Sequence, residues 1–279
     1  MMTSEGKRIG IFLISFAFCL FSGVGETRAA ELEAIAARGK LRVAVKNNLR
    51  PLGFTDSTGN LQGFEIDIAR RLAEELLGSS EDVELLPVQN RDRLAVVISG
   101  EVDLAIARVT ATPSRARVVY FSFPYYLDGA TLITRDPTVR EPSDLFGKAI
   151  AVLNASSTLP VMQFRIPQAK LLPVNSYQDA LSLLETNTVS AFAADATVLT
   201  GWVQQYPEYR QIPVRFSAQP LAIVMPKGLQ YQELHSRVNR AIARWQAEGW
   251  LQERAEYWGL PLLETPNTLP FPLSFQNQN

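Results

Sequence analysis

Sulfur and imidazole chemistry is almost missing from this chain, whose 279 residues include one cysteine and one histidine. Cys19 lies in an N-terminal apolar run, so the chain beyond that run can close no disulfide and must be held by its core. His235, among Glu233, Arg237 and Arg240 on an expected helix, reads as a surface residue. With so few soft donors, neither a transition-metal site nor a cofactor is expected. No Asp-x-Asp-x-Asp loop marks a calcium site. Glycine-rich phosphate loops, the dinucleotide fingerprint, His-Glu-x-x-His and Gly-x-Ser-x-Gly are also missing, which removes the commonest signatures of nucleotide, metalloprotease and esterase chemistry. Paired carboxylates or a Ser-Lys arrangement stay open, so an enzyme is the minority reading. A formal net charge of -1 supplies no overall field for nucleic acid or an anionic membrane, and any preference for a charged partner must be local.

What is present is ordinary globular composition, 47% hydrophobic and 20% charged, in a length that suits one large domain or two of about 100–150 residues. The N-terminus differs from the rest. Lys7 and Arg8 precede an apolar run from Ile9 to Phe21, and a polar stretch leads to Thr27-Arg28-Ala29. That order predicts a secretory signal peptide over residues 1–29, cleaved after Ala29, and hence a periplasmic protein. The run falls short of the roughly 20 residues a membrane span needs, and no later stretch qualifies. A retained N-terminal anchor and a lipid on Cys19 are the weaker alternatives; Phe18 stands where a small residue would precede a lipidated cysteine.

Beyond it, Glu31 to Arg38 reads as a helix ended by Gly39, and Leu41, Val43 and Val45 alternate as in a strand. From Gly63, the positions Ile66, Ala69, Leu72, Ala73, Leu76 and Leu77 mark one helical face, which Gly78 is placed to end. A strand over 83–88, a helix over 92–99 and a buried strand over 102–107 follow. After Tyr125-Tyr126 a second series begins, with strands at 130–134, 149–153, 170–174 and 189–194 and helices at 143–146, 157–164, 177–186 and 196–205. A strand at 221–225 and helices at 229–247 and 250–258 complete it. The tail from Pro261 holds four prolines and reads as a loose appendage. Alternating β and α elements in two series predict an α/β fold of two lobes with a ligand cleft between them.

Several stretches in this order resemble the periplasmic amino-acid-binding proteins of ABC importers, solute-binding protein family 3. They are Leu41-Arg-Val-Ala-Val-Lys46, Gly63-Phe-Glu-Ile-Asp67, and Asn90-Arg91 followed by Gly100-Glu-Val-Asp103. Thr110-Ala-Thr-Pro-Ser-Arg115, Phe121-Ser-Phe-Pro-Tyr-Tyr126, Val189-Ser-Ala-Phe-Ala-Ala-Asp195, Pro226-Lys-Gly228 and Gly249-Trp-Leu with Trp258-Gly259 continue the series. The resemblance spans about residues 37 to 260. It implies the type II two-lobed fold, with residues 30–126 and 219–260 in the first lobe, 127–218 in the second, and two strands crossing near Tyr126 and Ala218. It also implies a monomeric, non-catalytic receptor that hands an amino acid to an ABC permease.

In that family an arginine forks onto the ligand's α-carboxylate, and Arg115 matches it, with Thr110 beside it; a guanidinium offers two parallel donors and a permanent charge. Asp195 matches the carboxylate that accepts the α-ammonium, although an aspartate opening a helix also serves as an N-cap. Ser156, Ser157 and Thr158, in the loop Ala155 to Thr158, match hydroxyls facing the ligand, and each equally suits a helix cap. Lys46 and Arg91 resemble the glutamate/aspartate-binding subgroup, where cations meet a distal carboxylate that would be costly to bury unpaired. Arg108 stands where the family has Gly, Ser or Thr, as a third cation for the ligand, a narrowing of the pocket, or an outward-turned side chain. The ligand expected is therefore glutamate or aspartate, with polar neutral amino acids or small dicarboxylates behind it. Glu65 and Asp67 read as structural, at a helix start where carboxylates favour the dipole. The rival is a periplasmic dehydratase-like enzyme on the same fold, with Asp195 as proton donor.

Overall fold

The computed structural model describes residues 32–154 and 156–261. The expected signal peptide with Cys19, residue 155 and the tail beyond 261 lie outside the described residues. After helix α1 (Leu32–Arg38) comes β1 (Leu41–Val45), then three short strands, β2 (Asn48–Leu49), β3 (Gly53–Thr55) and β4 (Leu61–Gln62), paired as an antiparallel sheet. Helix α2 (Phe64–Leu77), β5 (Val83–Pro87), α3 (Ala95–Ile98), β6 (Leu104–Ile106) and β7 (Tyr120–Asp128) follow. The second series holds β8 (Ala130–Thr134), β9 (Ala149–Leu153), α4 (Thr158–Arg165), β10 (Lys170–Val174), α5 (Tyr177–Glu185), β11 (Ala191–Asp195), α6 (Ala196–Gln205) and β12 (Arg210–Gln211). The chain then runs through β13 (Gln219–Met225), α7 (Gln232–Ala247) and α8 (Trp250–Tyr257).

Two five-stranded sheets result, in the orders β5-β1-β6-β13-β7 and β10-β9-β11-β8-β12. Each is parallel through its βαβ units and antiparallel where β13 joins β6 and β7, or where β8 joins β11 and β12. Both faces of each sheet are covered. In β1, Leu41, Val43 and Val45 enter the core under α2 and α7, while Ala44 enters the opposite core with Val97, Val102 and Ala105. The same two-sided burial explains why β6 and β11 read as apolar runs. Helix α2 buries Phe64, Ile68, Ala69 and Leu72 and stops where Gly78, at φ 97°, donates its N–H to the Glu74 carbonyl, as its sequence predicts.

The two lobes meet at two adjacent chain crossings. Strand β7 passes through Gly129 directly into β8, and β13 lies antiparallel to it with Gln219 opposite Asp128. A side chain at Gly129 would lie 1.9 Å from the Ser217 carbonyl oxygen, so this close passage requires glycine. Strand β7 had no counterpart in the periodicity. It carries aromatic residues on both faces, Phe121 and Tyr125 on one and Tyr120 and Tyr126 on the other, and ends in the buried Asp128, so alternation cannot mark it.

Two expectations are corrected here. The helix placed over 92–99 is only Ala95–Ile98, because residues 90–94 form turns. His235 is not a surface residue. It is 8% exposed, stacked on Tyr120 with ring centres 3.8 Å apart, and its Nε2 bonds the Pro226 carbonyl at 2.8 Å. Its charged neighbours in sequence lie on the outer face of α7, and the inner face at 234, 235, 238, 241, 242 and 245 includes it.

Candidate ligand-binding site

Strand β6 ends at Ile106 and the chain turns at Arg108, whose φ of 50° is in the left-handed region. A residue with a Cβ is strained there by about 1–3 kcal/mol, so the surroundings must hold it. Glu65, at the start of α2, does so: its Oε1 accepts the Arg108 N–H at 2.7 Å and the Tyr125 hydroxyl at 2.5 Å. Glu65 is fully buried, and burial pushes its carboxyl above the ordinary range; the Tyr125 hydroxyl is pushed well above its own for the same reason. Glu65 is structural, as expected, but by fixing a strained turn and not only through the helix dipole.

That turn aims the Arg108 side chain at the second sheet. Its Nη2 pairs with Asp195 Oδ2, its Nε donates to Thr197 Oγ1 at 3.3 Å, and the same Nε lies 3.7 Å from Asp128 Oδ2. Thr197 in turn donates to Asp128 from both its backbone N–H, at 3.1 Å, and its hydroxyl, at 2.6 Å. Burial works against the Arg108 charge, but Asp195 and then Asp128 outweigh it and raise its pKa. Asp195 is the N-cap residue of α6, yet its side chain makes no cap hydrogen bond. It is turned to the guanidinium instead, and burial pushes its carboxyl upward against the pull of Arg108.

Arg115 begins a 3-10 turn over 115–117 and is half-buried, with its Nη1 donating to the Thr110 carbonyl at 2.9 Å. Thr110 itself bridges to Leu221 of β13, which ties this loop to the crossing strands. Arg93 is the cation that sequence reasoning missed. It donates to the carbonyls of Asn90 at 2.9 Å, Ala107 at 2.9 Å and Arg108 at 2.5 Å. Burial lowers its pKa, and the neighbouring Arg115 and Arg108 lower it further.

Lys46 is 5% exposed and donates Nζ to the Val88 carbonyl at 2.9 Å; burial and then Arg93 lower its pKa. Arg91 requires correction, because it does not join this cluster. Its side chain is 79% exposed and pairs with the adjacent Asp92 at 3.6 Å. Since the turns run to residue 94, Arg91 points to solvent and Arg93 packs inward; a helix from residue 92 would have hidden that difference. Ser156 bonds back to the Leu153 carbonyl at 2.7 Å, and Ser157 is exposed, accepting from Gln219 at 3.3 Å. Thr158 is buried, and its hydroxyl bears on Asp195. Asp128 and Thr197 carry no motif of their own, and only the packing of α6 on β8 reveals them.

The lobes touch along α6. A side chain at Gly201 would lie 2.1 Å from the Arg50 carbonyl oxygen, and Gln204 donates to the Trp258 carbonyl at 2.9 Å. The assembled site is thus a group of first-sheet cations set against a second-sheet carboxylate, where two lobes close. Residues 41–261 match the family described as bacterial extracellular solute-binding proteins, family 3.

The chain belongs to that family.

Among its relatives in family 3 is the glutamine-binding protein of Geobacillus stearothermophilus, 34% identical over 69% of this chain and 74% of that protein. A structure of a Neisseria gonorrhoeae solute receptor for L-cysteine is 28% identical, with a TM-score of 0.63 over 86% of this chain and 98% of the other. An ancestral cationic amino acid solute-binding protein is 26% identical, with a TM-score of 0.70 over 82% of this chain and 99% of the other. The glutamate/aspartate subgroup is not among the relatives that carry this assignment.

Proposed function

We propose that this solute-binding chain is a receptor outside the cytoplasm that closes two lobes on an amino acid and delivers it to an ABC permease. The observation that carries the reading is the gathering of Arg115, Arg93 and Arg108 on the first sheet's side of the lobe junction, where Asp195 of the second sheet meets Arg108. An amino acid presents a carboxylate and an ammonium a few ångströms apart, which such an opposed pair of charges matches. We take residues 30–126 and 219–260 as one lobe and 127–218 as the other, with the crossings at β7 and β13. Relatives named for glutamine, L-cysteine and cationic amino acids support an amino-acid ligand.

Within that class, a polar neutral ligand such as glutamine moves ahead of glutamate and aspartate. The acidic reading relied on Lys46 and Arg91 as partners for a second carboxylate. Arg91 points to solvent, while Lys46 and the inward Arg93 already donate to backbone carbonyls. Burial further disfavours the Lys46 charge. A second buried carboxylate would have to pair with a lysine whose charge burial already disfavours and with the remaining donors of Arg93, whereas a neutral side chain needs no such cation.

Thermal unfolding against glutamine, glutamate, aspartate, arginine and cystine tests both levels. A ligand at 100 times its dissociation constant stabilises by roughly 2.7 kcal/mol. Glutamine is expected to give a larger shift than glutamate or aspartate; the reverse order overturns the specificity, and no shift from any amino acid overturns the receptor reading. The dehydratase-like alternative needs Asp195 as a proton donor, and the Arg108 ion pair opposes that role. Incubation with prephenate or arogenate is expected to yield no product.

A further inference from the structure

In the reading above, Asp195 is the acceptor for the ligand's ammonium. That acceptor already holds a cation supplied by the protein. Arg108 reaches from the end of β6 on the first sheet to Asp195 at the head of α6 on the second, with Thr197 and Asp128 flanking its Nε. The arrangement is built. Glu65 fixes the turn through the Arg108 N–H, and φ of 50° directs the side chain across the junction. Lys46 and Arg93 on its own side are like charges that favour its displacement toward the opposite carboxylates.

We propose that Arg108 is a specificity-determining latch: its guanidinium occupies the ammonium position at Asp195 in the ligand-free protein and draws the lobes together, and the ligand's amine must displace it. The inference rests on the amino-acid reading for its second half only; the lobe-closing half stands on the Arg108 and Asp195 pair itself. Displacement has a definite consequence for affinity. If the latch is closed nine-tenths of the time, the apparent affinity is weakened about tenfold relative to a protein without it. It also filters ligands: a solute lacking a cation to replace the guanidinium leaves Asp195 unpaired when the latch opens, whereas an amine restores the pair.

The test compares wild-type protein with Arg108→Gly, Asp195→Asn and Arg115→Ala, using small-angle scattering without ligand and calorimetric titration with L-glutamine. Glycine accepts a φ of 50° without strain, so Arg108→Gly is expected to fold, and circular dichroism checks it. Arg108→Gly and Asp195→Asn are expected to enlarge the ligand-free radius of gyration, while Arg115→Ala leaves it at the wild-type value. Arg108→Gly is expected to bind glutamine about tenfold more tightly. An unchanged radius in Arg108→Gly overturns the latch whatever glutamine does. An enlarged radius with unchanged or weaker glutamine binding overturns the competition for Asp195. If neither wild type nor Arg108→Gly is stabilised by any amino acid of the thermal-unfolding panel, the receptor reading fails, and the radii still decide the latch.

Discussion

At the scale of single residues, the site is governed by how buried charges find partners. Arg115 has one carbonyl partner, Thr110, and is half-buried, which leaves guanidinium donors for a ligand carboxylate. Replacing Arg115 with alanine is expected to cost about 3–5 kcal/mol of glutamine binding, because the ligand carboxylate would be buried without its cation. Calorimetric titration measures this, and an unchanged affinity removes Arg115 from the site. Glu65 is a different case, since its role is internal. Tyr125→Phe deletes one of two donors to a fully buried carboxyl group and is expected to destabilise the fold by about 1–3 kcal/mol, read by urea denaturation.

At the scale of elements, local chemistry at the helix ends and inner faces can be tested separately from ligand binding. Gly78 ends α2 in the left-handed region, and Gly78→Ala is expected to cost about 1 kcal/mol in a denaturant midpoint comparison, since a Cβ is disfavoured at φ 97°. Helix α7 holds His235 on its inner face, where burial lowers the imidazole pKa below its ordinary 6.5, partly offset by the Pro226 carbonyl. As pH falls through about 6.5, the unfolded chain takes up this proton before the folded protein does. Folding stability therefore declines with falling pH in the window below 6.5, and the decline ends at the folded pKa. His235→Gln removes that component. The difference in unfolding free energy between the two proteins is expected to narrow from pH 7.5 to pH 5, and a constant difference would contradict the burial of the imidazole.

At the scale of the whole molecule, two lobes with separate cores are joined by β7 and β13, and their contact along α6 depends on a missing side chain. A Cβ on Gly201 would meet the Arg50 carbonyl oxygen at 2.1 Å, a backbone atom that cannot swing aside. Gly201→Ala is therefore expected to hold the lobes apart, weakening glutamine binding and enlarging the radius of gyration at saturating ligand. Each sheet packs through its own buried clusters, so circular dichroism is expected to stay unchanged while closure is lost.

Much of the architecture could be read from the chain because burial on both faces of a parallel sheet writes itself into local sequence. The apolar run of β11, the inner face of α2 and the glycine at 78 each carry their structure within a few residues. Arg115 and Asp195 could be singled out as candidates by another route, from motifs whose order and spacing resemble a known family. Strand β7 was not, because an apolar stretch crossing between lobes has no alternation. The choice between Arg91 and Arg93 was not either, since two residues of difference in a turn decide which side chain meets solvent. By itself the sequence determined most of the longer secondary elements, the two-series order and the types of charge available for a ligand. Only the tertiary structure decided that Arg108 meets Asp195, 87 residues away, because the pairing of distant charges depends on how two separately packed lobes close.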